Sequence, residues 1–170
     1  MALVDINQEQ LNLVQQELSA KHASAAITVH RLDVSDKQGW QNLVADVTEQ
    51  HGRADALYNN AGITLDKSFV GHSMDDWDKI LGINWYGVLY GCHYFLPILE
   101  RTAAQYGSAH IVNTSSLAGF AGLPTQSSYC ATKSAVRGLS ESLYAELKPK
   151  NIHVTCLHPG AIKTNIFATA

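Results

Sequence analysis

AHIVNTSSLAGFAGLPTQSSYCATK, residues 109–133, passes from an apolar strand-type run through a loop of small residues into a helix. The run Ala109 to Thr114 has the length and composition of a buried strand. Beyond the loop, Val136, Leu139, Leu143 and Leu147 recur at helical spacing as far as Lys148-Pro149, where proline ends the helix. Ile152 to Leu157 then reads as another strand, closed by His158-Pro159-Gly160. A strand, a helix and a strand in this order predict a parallel pair joined by a helical crossover.

The same alternation extends toward the N-terminus. Strand-type runs occupy Ala2 to Val4, Ala26 to Leu32 and Ala54 to Tyr58. Asn7 with Gln10, and Ser35 with Gln38, have capping-box spacing and predict two helix starts. The first helix runs through Leu11, Val14 and Leu18 to about His22, and the second carries Trp40, Leu43, Val44 and Val47 and stops at Gly52. After Asn59-Asn60-Ala61-Gly62 a polar stretch leads to Ser73, the predicted cap of one long helix bearing Trp77, Ile80, Leu81, Val88 and Phe95. No repeat or linker interrupts the 170 residues, which read as a single α/β domain with strands at both ends.

Composition narrows the function classes. With 46% apolar and 16% charged residues and a net charge of −3, the chain has no basic field to collect nucleic acid or anionic lipid. No apolar run approaches the roughly 20 residues of a bilayer span, and the first residues lack signal-peptide character, so no membrane association is expected. Cys92, Cys130 and Cys156 form neither a disulfide framework nor a zinc pattern, which predicts a reducing, cytoplasmic setting. Eight histidines include no H-x-x-x-H pair, and no metal site is expected.

Chemistry concentrates around Tyr129 and Lys133. Positions i and i+4 of a helix place a phenol beside an ammonium, and a phenol serving as a base at neutral pH needs about 4 kcal/mol of such help. Ser116 lies near the carboxyl end of the preceding strand, where parallel sheets place their sites, and its hydroxyl can donate to a substrate carbonyl. Ser115 or Ser116 could instead merely satisfy loop backbone. Asn84 falls on the apolar stripe after Trp77, where an amide needs partners; it is either a satisfied core residue or an anchor near Lys133. Asp5 ends the first strand, the position at which dinucleotide-binding folds hold an adenosine ribose, and its charge favours NAD over NADP.

Asp5, Asp33-Val34, Asn59-Asn60-Ala61-Gly62, Asn84, Ser116, Tyr129-x-x-x-Lys133 and Pro159-Gly160 together resemble the short-chain dehydrogenase/reductase family in order and spacing. The resemblance implies a Rossmann-like, doubly wound parallel sheet and hydride transfer between NAD(H) and a secondary alcohol or ketone. It implies Tyr129 as general acid/base, Lys133 as the charge beside it and a ligand of the nicotinamide ribose, Ser116 as the group orienting substrate, and Asn84 as support for a proton-relay water. It further implies that Asp5 binds the adenosine ribose, that Asp33 and Val34 border the adenine, and that Asn60, Ala61 and Gly62 line the cofactor floor. Pro159, Gly160, Ile162 and Thr164 would lie at the nicotinamide end. A homodimer or homotetramer, packed through the Gly87-x-x-x-Gly91 helix and the Tyr129 helix, is also implied; packing of those glycines within the subunit is the alternative.

The family's glycine-rich turn, T-G-x-x-x-G-x-G, does not occur in these residues, and Asp5 has only four residues before it. The expectation is a chain truncated at both ends, with weakened cofactor affinity and a tendency to associate. Two rival readings follow: a catalytically impaired module for binding or oligomerisation, and an epimerase or dehydratase on the same fold. The apolar loop Leu117 to Leu123 beside Ser116 suits a small apolar alcohol or ketone.

Overall fold

The computed structural model describes residues 1–162. Five strands and five principal helices alternate: β1 (Ala2–Asp5), α1 (Gln8–Lys21), β2 (Thr28–Arg31), α2 (Lys37–His51), β3 (Ala56–Asn59), α3 (Met74–Leu81), α4 (Gly87–Tyr106), β4 (Ala109–Thr114), α5 (Ser127–Leu147) and β5 (Ile152–Leu157). Every strand pair is parallel, and the architecture is Rossmann-like α/β. The strands form two sheets rather than one, ordered β1-β2 and β3-β4-β5.

Local chemistry accounts for most boundaries. Asn7 caps α1 by accepting from the Gln10 N–H, and Gly52 ends α2 at φ 73°, a left-handed conformation that glycine adopts without steric cost. Ser73 and Asp76 form a reciprocal capping box on α3. The expected Ser35 cap is corrected to Asp36, whose carboxylate accepts from the Gln38 N–H. Ser35 instead donates its hydroxyl to Asp33 in a turn. The single long helix expected after Ser73 is also corrected: α3 passes into a π-helical turn, Gly82–Tyr86, before α4 begins. There the Gly87 N–H reaches back to the Gly82 carbonyl, five residues earlier.

The core lies between the sheets and α2, α4 and α5, with Leu99, Ile111, Val136 and Ile98 almost wholly buried. Trp40 meets Phe95 edge-on at 6.1 Å and donates its indole N–H to the Val34 carbonyl. Close approach at α4 requires glycine. A Cβ on Gly87 would lie 2.9 Å from Val34, and one on Gly91 would collide with the Asn59 amide and stand 3.1 Å from Trp40. These two glycines therefore serve packing within the chain.

Gly138 offers the matched contrast, since a Cβ there meets nothing within 4 Å. Gly91→Ala is expected to cost about 1–3 kcal/mol through overpacking, and Gly138→Ala to gain about 0.5–1 kcal/mol through reduced backbone freedom. Thermal unfolding of the two variants should shift in opposite directions; equal shifts would contradict the packing described for α4.

Candidate active site

The carboxyl ends of β3 and β4 and the first turns of α5 meet at one place. Lys133 is only 2% exposed, and its ammonium donates to the Thr114 carbonyl at 2.8 Å. The Ser115 hydroxyl donates to the Lys133 carbonyl at 2.7 Å, so residue 133 is fixed to the end of β4 at both its tip and its backbone. The Lys133 ammonium lies 5.6 Å from the centre of the Tyr129 ring, as the four-residue spacing requires. Burial pushes the Lys133 ammonium down to about 8, still above neutral pH.

Ser116 follows in extended conformation, and its Oγ accepts from the Ala118 N–H at 3.2 Å. A hydroxyl that accepts retains its own hydrogen to donate. The Ser116 carbonyl accepts from His158 Nδ1 at 3.3 Å, while the Pro159 carbonyl accepts from the Leu117 N–H. A Cβ on Gly160 would lie 3.3 Å from Leu117. The turn after β5 thus abuts the Ser116 loop. Ile162 is exposed beyond it, and Thr164 lies outside the described residues.

Asn84 is fully buried in the π-helical turn. Its Oδ1 accepts from the Ile63 N–H at 2.8 Å, and its Nδ2 donates to the Ile63 carbonyl and the Thr132 hydroxyl. These bonds satisfy the buried amide, as the core reading expects, and also tie Ile63, which follows the Asn60-Ala61-Gly62 loop, to α5, as the anchor reading expects. A Cβ on Gly62 would stand 3.3 Å from the Lys133 ammonium and 3.4 Å from Asn84 Oδ1, so the loop leaves a side-chain-free cradle against both. Thr114 donates its hydroxyl to Asn60 Oδ1, which brings Asn60 to the same point.

The dinucleotide residues are distributed less tightly. Asp5, Val34, Asn60 and Ala61 line one cavity, and Asp5 Oδ1 accepts from the Asn7 N–H at the start of α1. Asp33 lines a separate cavity with His30 and Asp46, and its carboxylate is engaged by Ser35. Neither cavity is lined by Tyr129, Ser116 or Lys133. The sequence reading missed two contributors, the Thr114 carbonyl, a backbone group without a sequence signature, and Thr132, 1% exposed and legible only as a small polar neighbour of stronger candidates. Ser115, also 1% exposed, was legible as a hydroxyl satisfying backbone, though not that the carbonyl it reaches is that of Lys133. Among the described residues no cluster of metal-ligating side chains occurs, and no helix is long and apolar enough to cross a membrane.

The depressed Lys133 value makes a stability prediction. The unfolded amine holds its proton to about 10.5, whereas the folded one releases it near 8, so below 8 the full cost of burying the charge is present. Between those values the unfolded chain binds more protons, and stability rises with pH. Relative to Lys133→Met, the parent chain should gain stability from pH 7 to pH 10, by about 3 kcal/mol at most. Urea unfolding at the two pH values measures this, and a pH-independent difference would contradict it.

Comparison with known proteins identifies the family and the fold. The family described as short chain dehydrogenase matches residues 1–170. The chain is 34% identical over 160 residues to the 3-oxoacyl-[acyl-carrier-protein] reductase FabG of Thermotoga maritima, covering 94% of this chain and 63% of that protein. It is 33% identical over 164 residues to the 2,5-dichloro-2,5-cyclohexadiene-1,4-diol dehydrogenase LinX of Sphingobium indicum, covering 96% and 63%. A short chain dehydrogenase/reductase from Burkholderia phymatum, solved in complex with NAD, superposes with a TM-score of 0.89 at 34% identity, covering 97% of this chain and 58% of that one. The chain spans 28% to 63% of the length of such curated relatives. It belongs to the short-chain dehydrogenase family, a family of oxidoreductases.

Proposed function

We propose that this chain carries the catalytic half of an NAD(H)-linked oxidoreductase acting on a secondary alcohol or ketone. The observation that carries the reading is the buried Lys133 ammonium, held by the Thr114 carbonyl beside the Tyr129 ring and the Gly62 cradle. Burying a charge costs several kcal/mol, and a site that retains one next to a phenol has a use for it.

The residues present suit a dinucleotide at its nicotinamide end. A side chain at Gly62 would fill the space beside Lys133 and Asn84, and the Asp5 carboxylate stands exposed at the end of β1 for a ribose hydroxyl. Lys133 and Asn60-Ala61-Gly62 would hold the nicotinamide ribose, Val34 would border the adenine, and Pro159-Gly160 with Ile162 would flank the nicotinamide. Asp33, already engaged in its turn, is the weaker of the adenine-side assignments. The dinucleotide, when bound, supplies or takes the hydride.

In the reductive direction Ser116 Oγ donates to the substrate oxygen, and Tyr129 gives its phenolic proton to the same oxygen as negative charge develops there. The Lys133 ammonium, close to the ring, stabilises the phenolate that remains. Asn84 positions the Gly62 loop, and thereby the floor on which the reacting carbon rests. The exposed apolar residues Leu117, Phe120 and Leu123 beside Ser116 favour an apolar substrate. The FabG and LinX relatives, a reductase and a diol dehydrogenase, fit the same carbonyl–alcohol chemistry.

NADH oxidation against a panel of apolar ketones tests the reading. Tyr129→Phe is expected to lower kcat by about 10²–10⁴-fold while NADH binding, followed by fluorescence titration, is retained; undiminished turnover would overturn the role of Tyr129. Substrate conversion without net NADH consumption would favour epimerisation or dehydration instead. Asp5→Ser should reduce the preference for NADH over NADPH by about tenfold, the effect of removing one exposed charge near a 2′-phosphate. Paired Kd measurements check it, and an unchanged ratio would remove Asp5 from the ribose site.

A further inference from the structure

Tyr129 sits between two sets of bonds. Downstream, the Thr132 hydroxyl donates to the Tyr129 carbonyl at 2.8 Å and accepts from Asn84, while Lys133 is gripped by the end of β4. Upstream, α5 begins without a capping side chain: Gln126, its N-cap residue, makes no cap bond, and the first turn holds no acidic residue. The residue before it, Thr125, has φ 63°, a left-handed conformation that a β-branched side chain rarely adopts. Such a backbone persists only where its surroundings hold it.

The hold comes from residues 64–72, between the Gly62 loop and α3. The Thr64 hydroxyl donates to Gln126 Oε1 at 2.7 Å, the Lys67 N–H donates to the Thr125 carbonyl at 3.0 Å, and His72 Nε2 lies 2.9 Å from the Ser128 hydroxyl. Three of the four residues before Tyr129 are thus tied to one neighbouring segment. The tie nearest Tyr129 has a polarity fixed by the other ring nitrogen of His72, since Nδ1 lies 3.0 Å from the Ser68 carbonyl. A carbonyl only accepts, so in the neutral ring Nδ1 carries the hydrogen and Nε2 offers a lone pair, to which Ser128 donates. Ser128 is fully buried, and without that nitrogen its hydroxyl would lose its acceptor out of contact with solvent. The ring itself lies against Trp77 of α3, with centroids 5.8 Å apart, and the next residue, Ser73, caps that helix. His72 therefore joins the start of α3 to the start of α5.

We propose that His72 is a positioning residue for the reaction at Tyr129, acting through Ser128. The inference rests on the reading of Tyr129 as the proton donor. With Thr132 and Lys133 holding the chain after Tyr129 and Ser128 holding it before, the phenol has one backbone position from which to reach a substrate oxygen at Ser116. Loss of the upstream tie lets the entry to α5 relax at Thr125, and the phenol moves with it, while the Gly62 cradle beside Lys133 stays in place. The penalty then falls on kcat, because orientation of the reacting group counts in the transition state and not in cofactor binding. An aliphatic side chain at residue 72 would pack against Trp77 as well as imidazole does, but it has no acceptor to offer Ser128.

Steady-state kinetics with NADH and an apolar ketone test this on His72→Leu, His72→Gln, Ser128→Ala and the double variant His72→Leu/Ser128→Ala. His72→Leu and Ser128→Ala should each lower kcat by about 10- to 100-fold, with KM for NADH within about twofold of the parent. The double variant should be no slower than the slower single variant, because both changes remove the same bond. His72→Gln, whose amide oxygen can accept from Ser128, should recover most of the loss. Multiplied losses in the double variant, a change in KM alone, or a Gln variant as slow as the Leu variant would overturn the proposal. Ser128→Ala removes a single oxygen atom and gives the same readouts should His72→Leu fail to fold. A measurement without turnover is the Cζ resonance of Tyr129 in 13C-tyrosine-labelled chain, assigned by its loss in Tyr129→Phe. It should shift in the Leu and Ala variants and return in the Gln variant. An unmoved resonance would overturn the role of His72, whereas a parent chain without turnover overturns the oxidoreductase reading and leaves the resonance to decide on His72.

Discussion

The bond from the Lys133 ammonium to the Thr114 carbonyl is the constraint around which the site is arranged. A buried cation must be paired or solvated by fixed dipoles, and here a backbone carbonyl at the end of a strand provides the dipole. Because Ser115 also holds the Lys133 carbonyl, consecutive residues of one strand end grip both ends of one helical residue. The first turns of α5 cannot slide without breaking both bonds. The positions of Tyr129, one helical turn earlier, and of Ser116, one residue beyond Ser115, follow from that grip. Gly119 completes it, since a Cβ there would lie 2.7 Å from Ser115 Oγ and 3.0 Å from the Lys133 carbonyl.

A second set of buried polar bonds fixes the register beneath the site. Asn59 donates to Asn113 Oδ1 at 2.8 Å, Asn113 donates to Ser140 Oγ at 3.0 Å, and Ser140 donates to the Val136 carbonyl. Asn59 and Asn113 are direct partners in the β3–β4 ladder. A slip of either strand by one residue would turn its amide to the opposite face and leave the other buried amide unpaired, a cost of about 1–3 kcal/mol. The strand ends that carry Asn60 and Thr114 are thereby held level with one another.

How much of this was legible in the sequence depended on the kind of signal. The spans of β4 and β5 were readable to the residue, because apolar runs were bounded by turn residues on both sides. The Tyr129–Lys133 pairing followed from helical geometry. The π-helical turn was not readable, since a one-residue widening of a helix leaves the apolar stripe almost intact and has no residue preference of its own. The shift of the α2 cap from Ser35 to Asp36 reflects two good capping residues in succession, decided by which one the turn at Asp33 engages. Gly87 and Gly91 were legible as sites of close approach, but not which neighbour approaches; Val34 and Asn59 are distant in sequence.

The division of the sheet has a thermodynamic consequence for the whole molecule. A two-stranded sheet is marginal on its own, so the β1–α1–β2 segment draws little cohesion from its ladder and must lean on its contacts with the rest of the chain. Its opening free energy is then lower than that of the β3–β4–β5 unit, and the two units need not melt together. Under such linkage, any coupling between Asp5, on the first unit, and Lys133, on the second, can be no stronger than the contacts that hold the two units together.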